Sequence, residues 1–146
     1  MERVPSKRAA TAEPARVKAV IERGGRYLLA LHNNHVPENK GKWTFVGGLV
    51  DPTDASPEAA LLRELREELR VEGRILGTVG TFPYRDHTCL VLAAAFPGEP
   101  QPSPDEILAL RWFTRREIEG IAQANLLHMG FELEALDLAD AAALQG

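Results

Sequence analysis

Apolar and polar residues alternate over residues 16–22 (RVKAVIE), with β-branched side chains among them, which predicts a strand. Gly24 and Gly25 follow, then RYLLALH over 26–32, so two strands close on a Gly-Gly turn as a hairpin. Residues 33–42 (NNHVPENKGK) are polar and read as a loop. WTFV at 43–46 reads as a short strand running into Gly47 and Gly48, and LVDPTDA after it as a turn-rich stretch. Ser56 suits a helix N-cap and Pro57 the first helical position; EAALLRELREELR then carries a helical period to Arg70. Residues 71–82 and 88–96 read as strands, 97–106 (PGEPQPSPDE) as a proline-rich loop, and 107–113 (ILALRWF) as another strand. Thr114 and Glu117 form a capping box for a short helix over 114–124, and 130–146 reads as an acidic amphipathic helix. This order predicts an α/β (α+β) chain with a mixed sheet packed between helices.

The chain has 146 residues, enough for one domain, placed at 15–146 behind a flexible tail over 1–14. With 45% hydrophobic and 26% charged residues it can build a core. The formal net charge is −4 and there is no basic block, which argues against stable nucleic-acid binding and leaves room for a small anionic ligand. One cysteine, Cys89, excludes an internal disulfide and a cysteine-based zinc site. No apolar run reaches the roughly 20 residues that cross a bilayer. The N-terminus lacks the apolar stretch of a secretory signal, so no membrane partner and a cytoplasmic location are the default expectations.

On a helical wheel, Leu61, Leu62, Leu65 and Leu69 fill one arc of the 61–70 segment, Arg63, Arg66 and Arg70 a second, and Glu64, Glu67 and Glu68 a third. A solvated helix laced with ion pairs is one reading, since Arg63 and Glu67 stand at i,i+4. Against it, Glu64 and Glu68 are also at i,i+4, and Glu68 borders the leucine arc. Clustered carboxylates at a core edge either raise a pKa or hold a cation. Oxygen-only ligands favour Mg²⁺ or Mn²⁺, which shares its shell with phosphates. The residues alone leave both readings open.

The run Arg63-Glu64-Leu65-Arg66-Glu67-Glu68, with Gly47-Gly48 and a loop before it, resembles the signature of the Nudix hydrolase family. That pattern is a glycine, five residues, a glutamate, seven residues, then Arg-Glu-aliphatic-any-Glu-Glu-any-Gly-aliphatic. The preceding hairpin, the tryptophan strand into Gly-Gly and the late RWFTRREI segment are similar too, so the resemblance covers about residues 15–125. Two positions depart. Ala55 stands where the first glutamate is expected, with Asp54 beside it, and Arg70 stands where the family has glycine.

The resemblance implies a Nudix-like mixed β-sheet sandwiched between α-helices. It also implies divalent-metal-dependent hydrolysis of a pyrophosphate bond in a nucleoside diphosphate linked to another moiety. Glu64, Glu67 and Glu68 would bind the cation with the Gly48 carbonyl, and Arg63 would hold a glutamate and the loop. Glu106, outside the helix, is the candidate proton acceptor, against an ordinary exposed loop residue. Phe82 and Tyr84 could stack on a base or simply pack; Lys42 and Arg85 could meet phosphates; His32 and His35 border a loop within reach of substrate. Trp43, Trp112 and Cys89 read as core, and His87 and His128 as structural or solvent-facing. Leu133 and Leu136 give the last helix a stripe to pack on the domain or on a second copy, a homodimer being the general prior. The alternative to an enzyme is a catalytically weakened nucleotide-binding module, motivated by Ala55. A helix that only mimics the motif is the third reading.

Overall fold

The computed structural model describes residues 14–34 and 36–142, so the expected tail (apart from Pro14) and His35 lie outside the described residues. Eight strands run as β1 (Arg16–Val20), β2 (Glu22–Arg23), β3 (Arg26–His32), β4 (Trp43–Thr44), β5 (Val46–Leu49), β6 (Arg74–Tyr84), β7 (His87–Ala95) and β8 (Ile107–Phe113). Three α-helices follow their expected places: α1 (Pro57–Leu69), α2 (Arg115–Gln123) and α3 (Glu132–Ala141). A 3-10 turn, Pro37–Asn39, lies in the polar loop.

The strands form two sheets, which makes the expected mixed α+β arrangement. The first has order β5-β1-β7-β6, with β1 antiparallel to β5 and parallel to β7. The second has order β2-β3-β4, with β8 pairing antiparallel to β3. The division falls inside two segments that read as continuous strands. Ile21 separates β1 from β2, and Phe45 separates β4 from β5. Both side chains are buried, so at each point the chain turns from one sheet to the other around a large apolar residue.

Alternation along β1 serves two cores. Val17 and Ala19 pack with Ala60, Leu61, Leu65 and Leu69 of α1, whereas Val20 packs with Ala135, Leu136 and Ala139 of α3. Helix α3 therefore covers the first sheet of its own chain with the Leu136 stripe. Trp43, Trp112 and Cys89 are core-packed as expected, and Phe82 stacks on Phe131 at 4.7 Å inside the second cluster, which decides its role as packing. Among the described residues no helix is long and apolar enough to cross a membrane.

Candidate active site

Helix α1 begins where its cap chemistry dictates. Ser56 Oγ accepts from the Ala59 N–H at 3.0 Å and Pro57 fills the first turn. Leu61, Leu65 and Leu69 are fully buried, and their burial carries Glu64 and Glu68 down with it, to 8% and 3% exposure. The helix ends at Arg70, which adopts a left-handed conformation (φ 56°) at the place where the family pattern has glycine. The last carbonyls are then satisfied by the proline-rich loop: Gln101 N–H donates to Leu69 O and Ser103 N–H to Glu68 O, both at 2.8 Å. From the other side Asn33 N–H donates to Glu106 O at 2.9 Å, and the Asn33 amide to Asp105 O at 3.2 Å. These bonds swing Glu106 over the helix.

Glu64, Glu68 and Glu106 consequently offer carboxylate oxygens that all lie within 4.8 Å of one another. Two glycines make room. A Cβ on Gly48 would stand 2.7 Å from the Glu64 carboxylate, and one on Gly47 would stand 2.2 Å from Val17 O. Gly47 also donates its N–H to Glu68 Oε1 at 3.2 Å. Burial, and after it the neighbouring Glu68 charge, pushes Glu64 up to about 7. Glu106 is raised in the same direction, by desolvation and then by Glu68 and Glu67. A hard divalent cation relieves this repulsion, and an all-oxygen donor set fits Mg²⁺ or Mn²⁺.

Glu67 stands apart. It is exposed, outside the three-carboxylate cluster, and accepts from Arg63 Nη1 at 3.1 Å. Arg63 holds an aspartate as well as the glutamates: its Nε and Nη2 donate to Asp54 Oδ1 and Oδ2, each at 2.9 Å. Nη2 also donates to Leu49 O at 3.1 Å, and Nη1 to Glu64 Oε2 at 3.3 Å. The paired guanidinium holds the Asp54 carboxyl below the usual carboxylate range. Ala55 is exposed and carries no polar group.

The carboxylates share a cavity of about 430 Å³ with Arg16, Lys18, His32 and His128. Lys18 is 5% exposed, and its Nζ donates to Gly47 O at 3.3 Å. His32 Nε2 lies 3.5 Å from Glu68 Oε2. Burial and the Lys18 charge push His32 down, which favours the neutral ring. A second cavity of about 430 Å³ continues outward, sharing Arg16, Asn33, Asn34 and His128 and reaching Tyr84 and Arg85. Tyr84 O–H and His128 Nε2 are 3.1 Å apart, and burial with nearby Lys18 pushes His128 down to about 4. His128, expected as structural or solvent-facing, lines both cavities. Lys42 lines neither of these two cavities, and His87 is exposed at the start of β7. Arg16 and Lys18 are absent from the sequence-derived set. Lys18 alternates with Val17 and Ala19, the pattern of a solvent-facing strand position, so no local signal marks it.

A family model described as the NUDIX domain matches residues 12–130. Over 59 residues the chain is 48% identical to a CTP pyrophosphohydrolase of Escherichia coli (strain K12), covering 40% of this chain and 42% of that protein. Over 127 residues it is 31% identical to a NAD-capped RNA hydrolase (NudC) of Pseudomonas fluorescens, covering 78% of this chain and 45% of that one. The chain thus spans less than half the length of these curated relatives. Among solved structures, the E. coli ORF135 protein superposes with a TM-score of 0.66 at 32% identity, covering 87% of this chain and 90% of that one. A MutT protein from Methanosarcina mazei shares the fold at a TM-score of 0.68 and 22% identity, over 89% of this chain and 96% of that one.

Proposed function

The chain belongs to the NUDIX domain family, and on that footing we propose that it is a divalent-metal-dependent pyrophosphohydrolase acting on a nucleoside diphosphate linked to another moiety. One observation carries this reading: the oxygens of Glu64, Glu68 and Glu106 lie within 4.8 Å of one another, and Lys18 lines the same cavity as all three. Carboxylates alone would repel a diphosphate, and basic residues alone would bind it without hydrolysing it. Together they suit an anion that arrives with a cation. Bound Mg²⁺ or Mn²⁺ supplies neutralisation of phosphoryl charge and a more acidic water.

Glu64 and Glu68, buried on a rigid helix, would hold the cation, with the Gly48 carbonyl as a neutral partner. Glu106 is the exposed member, and its raised pKa suits it to take the proton of the attacking water. Arg63 positions Glu64 and, through Asp54 and Leu49 O, the loop beneath it. The names of the relatives, a CTP pyrophosphohydrolase and a NAD-capped RNA hydrolase, support a nucleotide pyrophosphate as the substrate class.

The test is a screen of nucleoside triphosphates, ADP-ribose, dinucleotides, sugar nucleotides and coenzyme A with Mg²⁺, Mn²⁺ or chelator. Pyrophosphatase and phosphatase convert the products to phosphate for detection. Release that needs the metal from at least one class is expected. No release from any, with cation binding intact by calorimetry, overturns the enzyme reading in favour of a binding module.

A further inference from the structure

The carboxylate cluster and Arg63 account for the acidic half of the cavity, and Lys18 is unaccounted for. It sits in β1 opposite Gly47 in the β1–β5 ladder, so its backbone is fixed against the glycine pair that floors the site. Its ammonium has three donors, and the hydrogen bond it makes is to Gly47 O. Glu68 is bound to the N–H of that same residue, so Lys18 and Glu68 bracket one glycine from its two polar groups. Among the described residues, no salt bridge joins Lys18 to a carboxylate. Burial pushes the Lys18 pKa down and the Glu68 charge opposes this; the buried Glu132 carboxylate, which acts on Lys18 more weakly, is committed to the N–H groups of Met129 and Gly130.

A buried ammonium with one neutral acceptor is costly, and the Glu68 charge beside it offsets only part of that cost. A residue serving only the core would shed that cost by being apolar, as its β1 neighbours Val17 and Ala19 are. The cost is offset when an anion enters the cavity that Lys18 lines. Two donors remain after Gly47 O, enough to reach a phosphoryl oxygen.

We propose that Lys18 is a substrate-binding residue of this site: its ammonium, seated on Gly47 O beside Glu68, donates to a phosphoryl oxygen of the bound diphosphate. The proposal rests on the pyrophosphohydrolase reading and deepens it. Cation binding then belongs to the carboxylates and diphosphate binding to the cation together with Lys18. Removing the ammonium separates the two.

Isothermal calorimetry on the whole chain tests this with two probes: Mn²⁺ alone, then methylenediphosphonate, which carries two bridged phosphoryl groups and no base, in saturating Mn²⁺. In Lys18→Met, of similar length and no charge, Mn²⁺ affinity stays within threefold of wild type or tightens, and methylenediphosphonate affinity falls at least tenfold. Methylenediphosphonate binding within twofold of wild type overturns the proposal. So does loss of Mn²⁺ binding in the variant, which would make Lys18 an organiser of the carboxylates. If Lys18→Met does not fold, Lys18→Gln, with an amide to donate to Gly47 O, gives the same comparison; failure of both to fold assigns Lys18 to the core and overturns the proposal. A wild-type protein that binds neither probe refutes the pyrophosphohydrolase reading itself, whereas wild-type binding of both with an unaffected variant refutes Lys18 alone.

Discussion

Asp54 and Arg63 are joined by two hydrogen bonds of 2.9 Å, from Nε and Nη2 of the guanidinium to the two oxygens of the carboxylate. Such a bidentate pair fixes orientation as well as charge. Because Arg63 also touches Glu64 and Leu49 O, Asp54 steadies the helix side chain and the loop at once. Asp54→Asn keeps the shape, removes the charge and presents one NH₂ to a donor-only partner. Turnover is expected to fall about tenfold, equivalent to about 1.4 kcal/mol of activation energy. Steady-state kinetics at saturating metal check this, and an unchanged rate would show that Asp54 does not stand in for the glutamate missing at Ala55.

Gly48 and Glu64 are in contact in a way that only glycine allows. A methyl on Gly48 meets the Glu64 carboxylate at 2.7 Å, and the mobile side is the carboxylate end. Gly48→Ala should therefore fold, with Glu64 pushed off its position. Mn²⁺ affinity by calorimetry is expected to drop about tenfold, or about 1.4 kcal/mol, with the melting temperature nearly unchanged. Wild-type affinity in this variant would remove Glu64 from the cation site.

Arg70 occupies a left-handed conformation that costs a residue with a Cβ about 1–2 kcal/mol. It is exposed. Arg70→Gly should raise stability by about 1 kcal/mol and the melting temperature by about 2–4 °C, leaving turnover unchanged. Thermal unfolding of the two proteins decides it; a destabilised glycine variant would mean that the Arg70 side chain contributes more than its backbone costs.

Glu64 gives the metal-free protein a specific pH dependence. Its folded-state pKa, about 7, is above the ordinary 4.5, so between those values the folded chain binds more protons than the unfolded chain. The Glu64 contribution to stability then falls as pH rises through that window, against the opposite contribution of His128, held at about 4, and of His32, also lowered. Denaturant unfolding in chelator is expected to show that wild type loses stability relative to Glu64→Gln between pH 5 and pH 8. A wild-type contribution that rises with pH across the window and vanishes in Glu64→Gln would contradict the buried, carboxylate-crowded environment of Glu64.

Where structure follows from neighbours in sequence, the chain is readable without coordinates. The Ser56 cap, Pro57 and the Leu61-Leu65-Leu69 stripe lie within one segment and fix α1 almost to the residue. Burial of Glu68 follows from its place beside that stripe. The division into two sheets is not readable, because WTFV looks like one strand and only tertiary packing makes Phe45 a turning point. Glu106 is legible as a candidate but not as a cluster member. What brings it in is the docking of 101 and 103 on the carbonyls of 68 and 69, a contact between distant segments with no local pattern. Lys18 is hidden for the opposite reason: its local pattern, a polar residue alternating in a strand, is that of a solvent-facing position, yet the cavity between the sheets encloses it.

The account stands or falls on Glu68 as a functional carboxylate rather than a buried structural one. The direct measurement is metal-dependent turnover of Glu68→Gln beside wild type, on the best substrate found, with folding verified by circular dichroism. The isosteric amide should still accept from Gly47 N–H, so the fold is expected to persist while the rate falls by about 100-fold or more, about 2.7 kcal/mol in the barrier. A folded Glu68→Gln protein that turns over at the wild-type rate would contradict the assignment of this cluster as the catalytic centre.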